Sequence, residues 1–221
     1  MGQNITLTAK DGYKLNAYRA DPAGKPKGAI VVIQEIFGVN SHIKRDADKF
    51  AKQGYVAIAP ALFDRLKPGV ELGYTPEAIQ EGFGYVTKLD GFDKPMLDIA
   101  AAVDEAKKVG KVGAVGYCWG GSLAWLCATR LAVPASSYYG GRTANLIGEK
   151  SKAPCIMHYG AKDKMIPQTD VEKIKQAHSE VPVYVYDADH GFNCDERASY
   201  DKAAAELALK RTLEFFAKNV G

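Results

Sequence analysis

The sequence predicts an α/β fold: a mostly parallel, doubly wound sheet flanked by helices. Three observations predict it. Continuous apolar runs, AIVVI at 29–33, YVAIA at 55–59 and VGAV at 112–115, are the mark of strands buried on both faces. Segments of helical periodicity separate such runs from residue 29 to the end, the alternation that a parallel sheet with crossover helices requires. One strand-to-helix junction, at 116–120, reads Gly-Tyr-Cys-Trp-Gly, a sharp turn with a cysteine at its apex.

The elements follow in order. Residues 5–9 and 15–19 read as two strands joined at Asp11-Gly12, a hairpin turn pair. Residues 21–26 are a Pro- and Gly-rich loop before the strand at 29–33. Ser41 is the expected N-cap of a helix through Phe50, with Ile43, Ala47 and Phe50 at helical spacing. Gly54 ends that helix, 55–59 is the next strand, and Pro60 closes it. Residues 62–74, holding Pro68, Gly69 and Gly73, read as a loop over one rim. Thr75 and Pro76 suit an N-cap and first helical position. The helix they open carries Ile79, Phe83 and Val86, and Gly82 and Gly84 weaken it. A helix over 95–108 precedes the strand at 112–115, and a helix over 120–131 follows it. Strands are expected at 135–139, 154–159 and 182–186, and helices at 168–178 and 198–218. The last helix is expected to bury Ala204, Leu207, Leu209, Leu213 and Phe216. No repeat, low-complexity tract or linker divides the 221 residues, so residues 1–221 are read as one domain.

Composition excludes several classes of function. Hydrophobic content of 47% and charged content of 25% are ordinary for a globular protein with a sizeable core. A net charge of +3, without basic-aromatic interleaving, gives no reason to expect nucleic acid. No stretch is apolar enough to span a bilayer or to serve as a secretory signal, and the reading is a cytoplasmic protein that engages no membrane. The four cysteines, Cys118, Cys127, Cys155 and Cys194, are scattered and contain no CxxC pair. No disulfide framework or metal site is expected from them. Cys127 and Cys155 lie in apolar runs and read as inert core thiols.

The turn at Cys118 has the form of the nucleophile elbow of the α/β-hydrolase fold, with cysteine in the serine position. A strained apex needs near-side-chain-free neighbours two residues either side, which Gly116 and Gly120 supply. A sulfur at a helix N-terminus sits among free N–H groups and the positive dipole end, which favour a thiolate and a developing oxyanion.

In open parallel sheets functional groups gather beyond the carboxyl ends of the strands. Loops in those positions carry Glu35-Ile36 after 29–33, Cys118, Asp163 within GAKDKMIP at 160–167, and His190 within DADHGF at 187–192. The order nucleophile, acid, histidine is that of the hydrolase triad. Cys118 would attack a carbonyl carbon, His190 would take and return the proton, and Asp163 would orient His190. His158 reads as core or as a support behind the site, and His42 and His178 as solvated helix residues. An oxyanion hole needs two N–H donors, expected from the backbones of Trp119 and Ile36.

QEIFGVN at 34–40, GYCWGG at 116–121, GAKDKMIP and the His190-Gly-Phe stretch resemble the dienelactone hydrolases, or carboxymethylenebutenolidases, over nearly the whole chain. The resemblance implies a monomeric cytoplasmic enzyme with no cofactor and no metal, acting on a small ester or lactone through a thiol-ester intermediate. It implies Cys118, Asp163 and His190 as the triad and Glu35 as a carboxylate contacting the thiol at rest. Two arginines that hold a substrate carboxylate in the family fall where this chain has Cys194 and the Gln80-Glu81 pair. Arg65 and Arg197 are candidates to replace them, and Tyr85, Phe37, Phe192 and Trp119 are candidates to line the pocket. The competing reading is a non-hydrolytic redox-sensing or binding protein in which Cys118 is oxidised and Cys194 resolves it. A serine esterase using Ser122 is disfavoured because that residue lies past the turn.

Overall fold

A computed structural model describes residues 2–221. Its contacts cluster into two compact units, one running to Gly113 with Val220 and Gly221, the other covering Ala114–Asn219.

In the first unit, the expected hairpin forms from β1 (Gln3–Thr8) and β2 (Lys14–Ala20), paired antiparallel. Gly12 turns between them at φ +83°, a conformation glycine adopts without a Cβ clash. β4 (Tyr55–Pro60) runs antiparallel to β2 and parallel to β3 (Gly28–Ile33), giving the order β1-β2-β4-β3. Every residue of β3 and β4 is buried, as their unbroken apolar runs require. Each of the fully buried Ile30, Val31, Val32 and Ile33 side chains contributes on the order of 2 kcal/mol by leaving water. Helices α1 (Ser41–Lys52), α2 (Pro76–Lys88) and α3 (Asp93–Lys107) complete the unit.

Three expectations change here. The N-cap of α1 is Asn40, whose side chain accepts from the Ile43 N–H at 3.3 Å, so Ser41 is the first helical residue. Asn40 is one of the best capping residues and lies one position earlier in a run of two candidates. In α2 the buried face is Gly82, Tyr85 and Val86, and Phe83 is exposed. Gly82 is not a weakness: a Cβ there would strike the Ile36 carbonyl oxygen, so the glycine lets the helix lie directly on that loop. His42 is fully buried on α1, and is not a solvated helix residue.

The second unit holds β5 (Val112–Tyr117), β6 (Ala135–Tyr138), β7 (Cys155–Gly160) and β8 (Val183–Tyr186), parallel throughout in the order β5-β6-β7-β8. α4 (Trp119–Arg130), α5 (Gln168–Ala177) and α6 (Lys202–Asn219) belong to it, with a 3₁₀ turn over Gly141–Leu146 that no sequence signal announced. α6 starts four residues later than expected, and its buried stripe is Ala204, Ala208, Thr212 and Phe216 rather than the leucines. Leu207 is exposed and Leu209 and Leu213 are half-buried. The reason is Thr212, whose hydroxyl meets Ser136 at 2.9 Å, Tyr138 at 2.8 Å and His158 at 3.2 Å. That polar anchor sets the rotation of the helix. His178 is also buried, against the Trp125 ring at 4.7 Å, where solvation was expected.

Candidate active site

The second unit brings Cys118, Asp163 and His190 into one cluster, each from the end of a different strand. β5 delivers the first. Cys118 has φ 55° and ψ −119°, strained for a residue with a side chain, and α4 begins at the next position. Its neighbours account for the strain. A Cβ on Gly116 would run into the Gly120 carbonyl, and one on Gly121 into the Tyr138 carbonyl. The Cys118 N–H is tied to the Tyr138 carbonyl at 3.0 Å, and Ser137 Oγ donates to the Gly121 carbonyl at 2.8 Å. The turn is therefore clamped to β6 from both sides of the cysteine. Cys118 is half-buried, whereas Cys127, Cys155 and Cys194 are buried. Burial pushes the Cys127 and Cys155 thiols up, so both stay protonated and inert. Ser122 is fully buried and its Oγ accepts from the Arg142 N–H at 3.0 Å, a structural role that removes it as a nucleophile.

Asp163 follows β7. Its Oδ1 accepts from the Met165 and Ile166 N–H groups at 2.8 and 3.1 Å, and its Oδ2 pairs with His190 Nδ1 at 2.7 Å. The two backbone donors lock the carboxylate so that one oxygen faces the imidazole. This explains the value of the residues after Asp163: they wrap the carboxylate in a tight turn. The Asp163 side chain is 1% exposed and that of His190 7% exposed, so the pair is shielded from screening by water.

His190 comes from the loop after β8. Burial, the largest influence, pulls its pKa down. The Cys118 sulfur and the Asp163 carboxylate outweigh it and raise the pKa to about 10. The outer nitrogen Nε2 makes no hydrogen bond to any described residue of the chain. Gly191, at φ +76°, lets the Arg197 guanidinium lie against its Cα, where a side chain would collide. Phe192 is fully buried, packed on Tyr139 and Tyr186 at 5.3 and 5.2 Å between ring centroids. The Tyr139 ring lies 5.0 Å from the His190 ring. Sequence reasoning did not select Tyr139, because a tyrosine at a strand end before two glycines carries no chemical signature.

His158 shows the opposite fate for a buried imidazole. Its Nδ1 meets Tyr186 Oη at 2.8 Å and its Nε2 meets Thr212 Oγ1 at 3.2 Å. Burial, aided by the charge of Arg211, lowers its pKa to about 3. It is a neutral member of the core, with hydroxyl groups where His190 has a carboxylate and a sulfur.

Trp119 is buried as the first residue of α4, and the remaining candidates lie in the first unit. Glu35 is fully buried just beyond β3 and accepts from Tyr74 Oη at 3.4 Å. Ile36 and Phe37 are buried beside it, Phe37 in edge contact with Tyr74 at 4.6 Å. Gln34 Oε1 accepts from the Leu62 N–H at 3.0 Å, stitching this loop to the one after β4. Tyr85 is buried, stacked on Phe63 at 5.1 Å with its hydroxyl donating to Glu81 at 2.8 Å. Arg65 forks onto both Asp98 oxygens at 2.8 and 2.7 Å, reaches Asp11 at 2.7 Å, and covers the Tyr13 ring at 4.6 Å. Its guanidinium is occupied by carboxylates of its own chain.

Comparison with known proteins fits this geometry. The sequence model of the dienelactone hydrolase family matches residues 15–220. A "Putative carboxymethylenebutenolidase" of Synechocystis sp. is 36% identical over 96% of this chain and 95% of its own length. The carboxymethylenebutenolidase of Pseudomonas putida is 31% identical over 97% of this chain and 96% of its own. The crystal structure of a "Putative Dienelactone Hydrolase" from Klebsiella pneumoniae superposes with a TM-score of 0.87 at 30% identity, covering 99% and 98% of the two chains. The expected α/β-hydrolase fold is thereby shown, and among the described residues no helix is long and apolar enough to cross a membrane.

Proposed function

The chain belongs to the dienelactone hydrolase family and is a carboxylic ester or lactone hydrolase; from that premise we propose that its nucleophile is the Cys118 thiolate. The single observation that carries the reading is the His190 imidazole, bonded to Asp163 at 2.7 Å and grouped with a half-buried Cys118 at a strained strand-to-helix turn. An imidazolium held charged at neutral pH is the partner a reactive thiolate needs.

Sulfur attacks the carbonyl carbon, and the carbonyl electron pair moves onto oxygen, where the Trp119 N–H at the head of α4 would meet it. Collapse breaks the C–O bond to the leaving group, which takes its proton from His190 Nε2 and leaves a thioester on Cys118. The now neutral imidazole removes a proton from water as its oxygen attacks the thioester carbon; collapse breaks the C–S bond, releases the acid, and returns the thiolate and the imidazolium. Asp163 holds Nδ1–H throughout and keeps the tautomer correct. No step requires a metal or a cofactor. By the family resemblance Glu35 and the Ile36 N–H serve the same chemistry. The reading has a cytoplasmic monomer at work, with residues 1–221 acting as one domain.

The proposed substrates are small activated esters and lactones. Arg65 supports no acid-binding role, because its donors are taken by Asp98 and Asp11. Arg197, which follows His190 in its own loop, is the proposed substrate contact, and Phe37 and Tyr85 the proposed apolar lining; Phe192 is fully buried against Tyr139 and Tyr186 and is left with a packing role. A panel of aryl esters and lactones, with and without a carboxylate, tests this. Turnover of the neutral members is expected, and activity confined to acid-bearing members would contradict it. The redox alternative gains nothing, since Cys194 is fully buried and would be a poor resolving thiol.

A further inference from the structure

Tyr139 is the feature of this unit that the proposed chemistry does not use. It follows β6 with φ 39°, left-handed backbone that a bulky aromatic residue rarely adopts. Strain of this kind persists only where the surroundings impose it, and it concentrates at functional sites. The surroundings here are explicit. The Tyr139 N–H donates to the His158 carbonyl at 2.7 Å. The next residue, Gly140, is pressed so closely on Gly121 and Ser122 at the head of α4 that a Cβ there would collide.

The strained turn sends two adjacent rings to two different histidines. Tyr138 lies on the neutral His158 at 4.5 Å, and Tyr139 lies on His190 at 5.0 Å. Tyr139 is itself fully buried and is backed by Phe192 at 5.3 Å. Phe192 sits two residues after His190, so the aromatic pair grips the histidine loop as well as the histidine ring. Among the described residues, His190 is met by Asp163 from the loop after β7, Cys118 at the head of α4 and this ring from the end of β6; in its own loop the Asp189 carboxylate accepts the His190 N–H at 2.6 Å and the Arg197 guanidinium lies against Gly191. Asp163 fixes only one nitrogen. A ring held by a single hydrogen bond can still swing about it, and a rigid aromatic neighbour at 5.0 Å restricts that freedom.

We propose that Tyr139 is a positioning residue for His190: its ring is the wall that holds the imidazole between Asp163 and Cys118 and favours its charged form. The inference rests on the assignment of His190 to the proton transfers above. The ring, tilted 59° to the imidazole at 5.0 Å, is the working part, since an aromatic ring this close attracts an imidazolium, and the hydroxyl is not required.

The test uses the full-length protein and two readouts. NMR titration follows the four imidazoles, with His190 identified by its disappearance in His190→Gln. Steady-state kinetics on an aryl ester gives kcat and KM. Tyr139→Phe keeps the ring, and should leave the His190 midpoint unchanged and kcat within about twofold of wild type. Tyr139→Leu should lower the midpoint by about half a pH unit or more and cut kcat about tenfold with KM little changed. Should the leucine variant not fold, Tyr139→Asn removes the ring with a residue that tolerates left-handed backbone, and the same shifts are expected. An unshifted midpoint and unchanged kcat without the ring would overturn the proposal, as would a phenylalanine variant as damaged as the leucine one. The titration needs no substrate. Full esterase activity in Cys118→Ala would therefore end the nucleophile assignment without deciding the role of Tyr139.

Discussion

His190 Nδ1 and Asp163 Oδ2 stand 2.7 Å apart, and the other Asp163 oxygen is held by two backbone N–H groups. The carboxylate is therefore an aimed acceptor and not a mobile counter-ion. Asp163→Asn keeps the shape but presents an amide to Nδ1–H and removes the negative charge. It should lower kcat roughly a thousandfold or more, with a much smaller change in KM, in steady-state assays on an aryl ester. It should also lower the pH at which His190 loses its proton.

Two buried histidines should tilt stability in opposite directions. His190 is raised to about 10 from 6.5, so the folded state holds its proton more tightly than the unfolded chain. That contribution is complete below about pH 6.5 and is lost as pH rises toward 10. His158 is lowered to about 3, so the folded state must exclude a proton that the unfolded chain binds. Its effect is a loss of stability as pH falls from about 6.5 toward 3, with a slope of at most about 1.4 kcal/mol per pH unit. Urea unfolding at a series of pH values checks both. His190→Gln should flatten the alkaline limb, and His158→Gln should flatten the acid limb.

Glycines of one chain should respond differently to alanine. At Gly116 the added Cβ would meet the Gly120 carbonyl, backbone that cannot step aside without opening the elbow. Gly116→Ala should cost about 3 kcal/mol or more, or abolish soluble expression. At Gly84, inside α2, nothing lies within 4 Å, and Gly84→Ala should stabilise by about 0.5–1 kcal/mol. Thermal or urea melts of the two variants measure the contrast.

Arg65→Ala should separate a structural arginine from a substrate-binding one. It leaves Asp98, which is fully buried, without its forked partner, at a cost of roughly 3 kcal/mol. The kcat/KM per folded molecule should stay near wild type for neutral and acid-bearing esters alike. A selective loss on the acid-bearing ester would return Arg65 to the substrate.

What the sequence made legible, and what it hid, divides along a physical line. Strand-buried runs such as 29–33 and 55–59 were plain because burial on both faces leaves no polar residue to confuse the pattern. Cys118, Asp163 and His190 stood out as candidates because their types and their order along the chain match those a hydrolase triad would need. Their meeting in space was an inference from topology, which the Asp163–His190 contact realises. Features set by tertiary contact were not legible. His42 and His178 looked like surface residues because a helix carrying charges elsewhere does not announce a buried imidazole. The rotation of α6 follows Thr212, a polar residue that a search for apolar stripes passes over. The cap at Asn40 and the strained turn at Tyr139 each depend on a backbone angle that neighbouring residues impose.

Whether Cys118 carries the acyl group is decided by mass spectrometry of enzyme quenched during turnover of an activated aryl ester. The acyl mass is expected on the peptide containing Cys118, removable by hydroxylamine, with no adduct and no turnover in Cys118→Ala. Full turnover by Cys118→Ala, with the acyl mass on another residue, would contradict it.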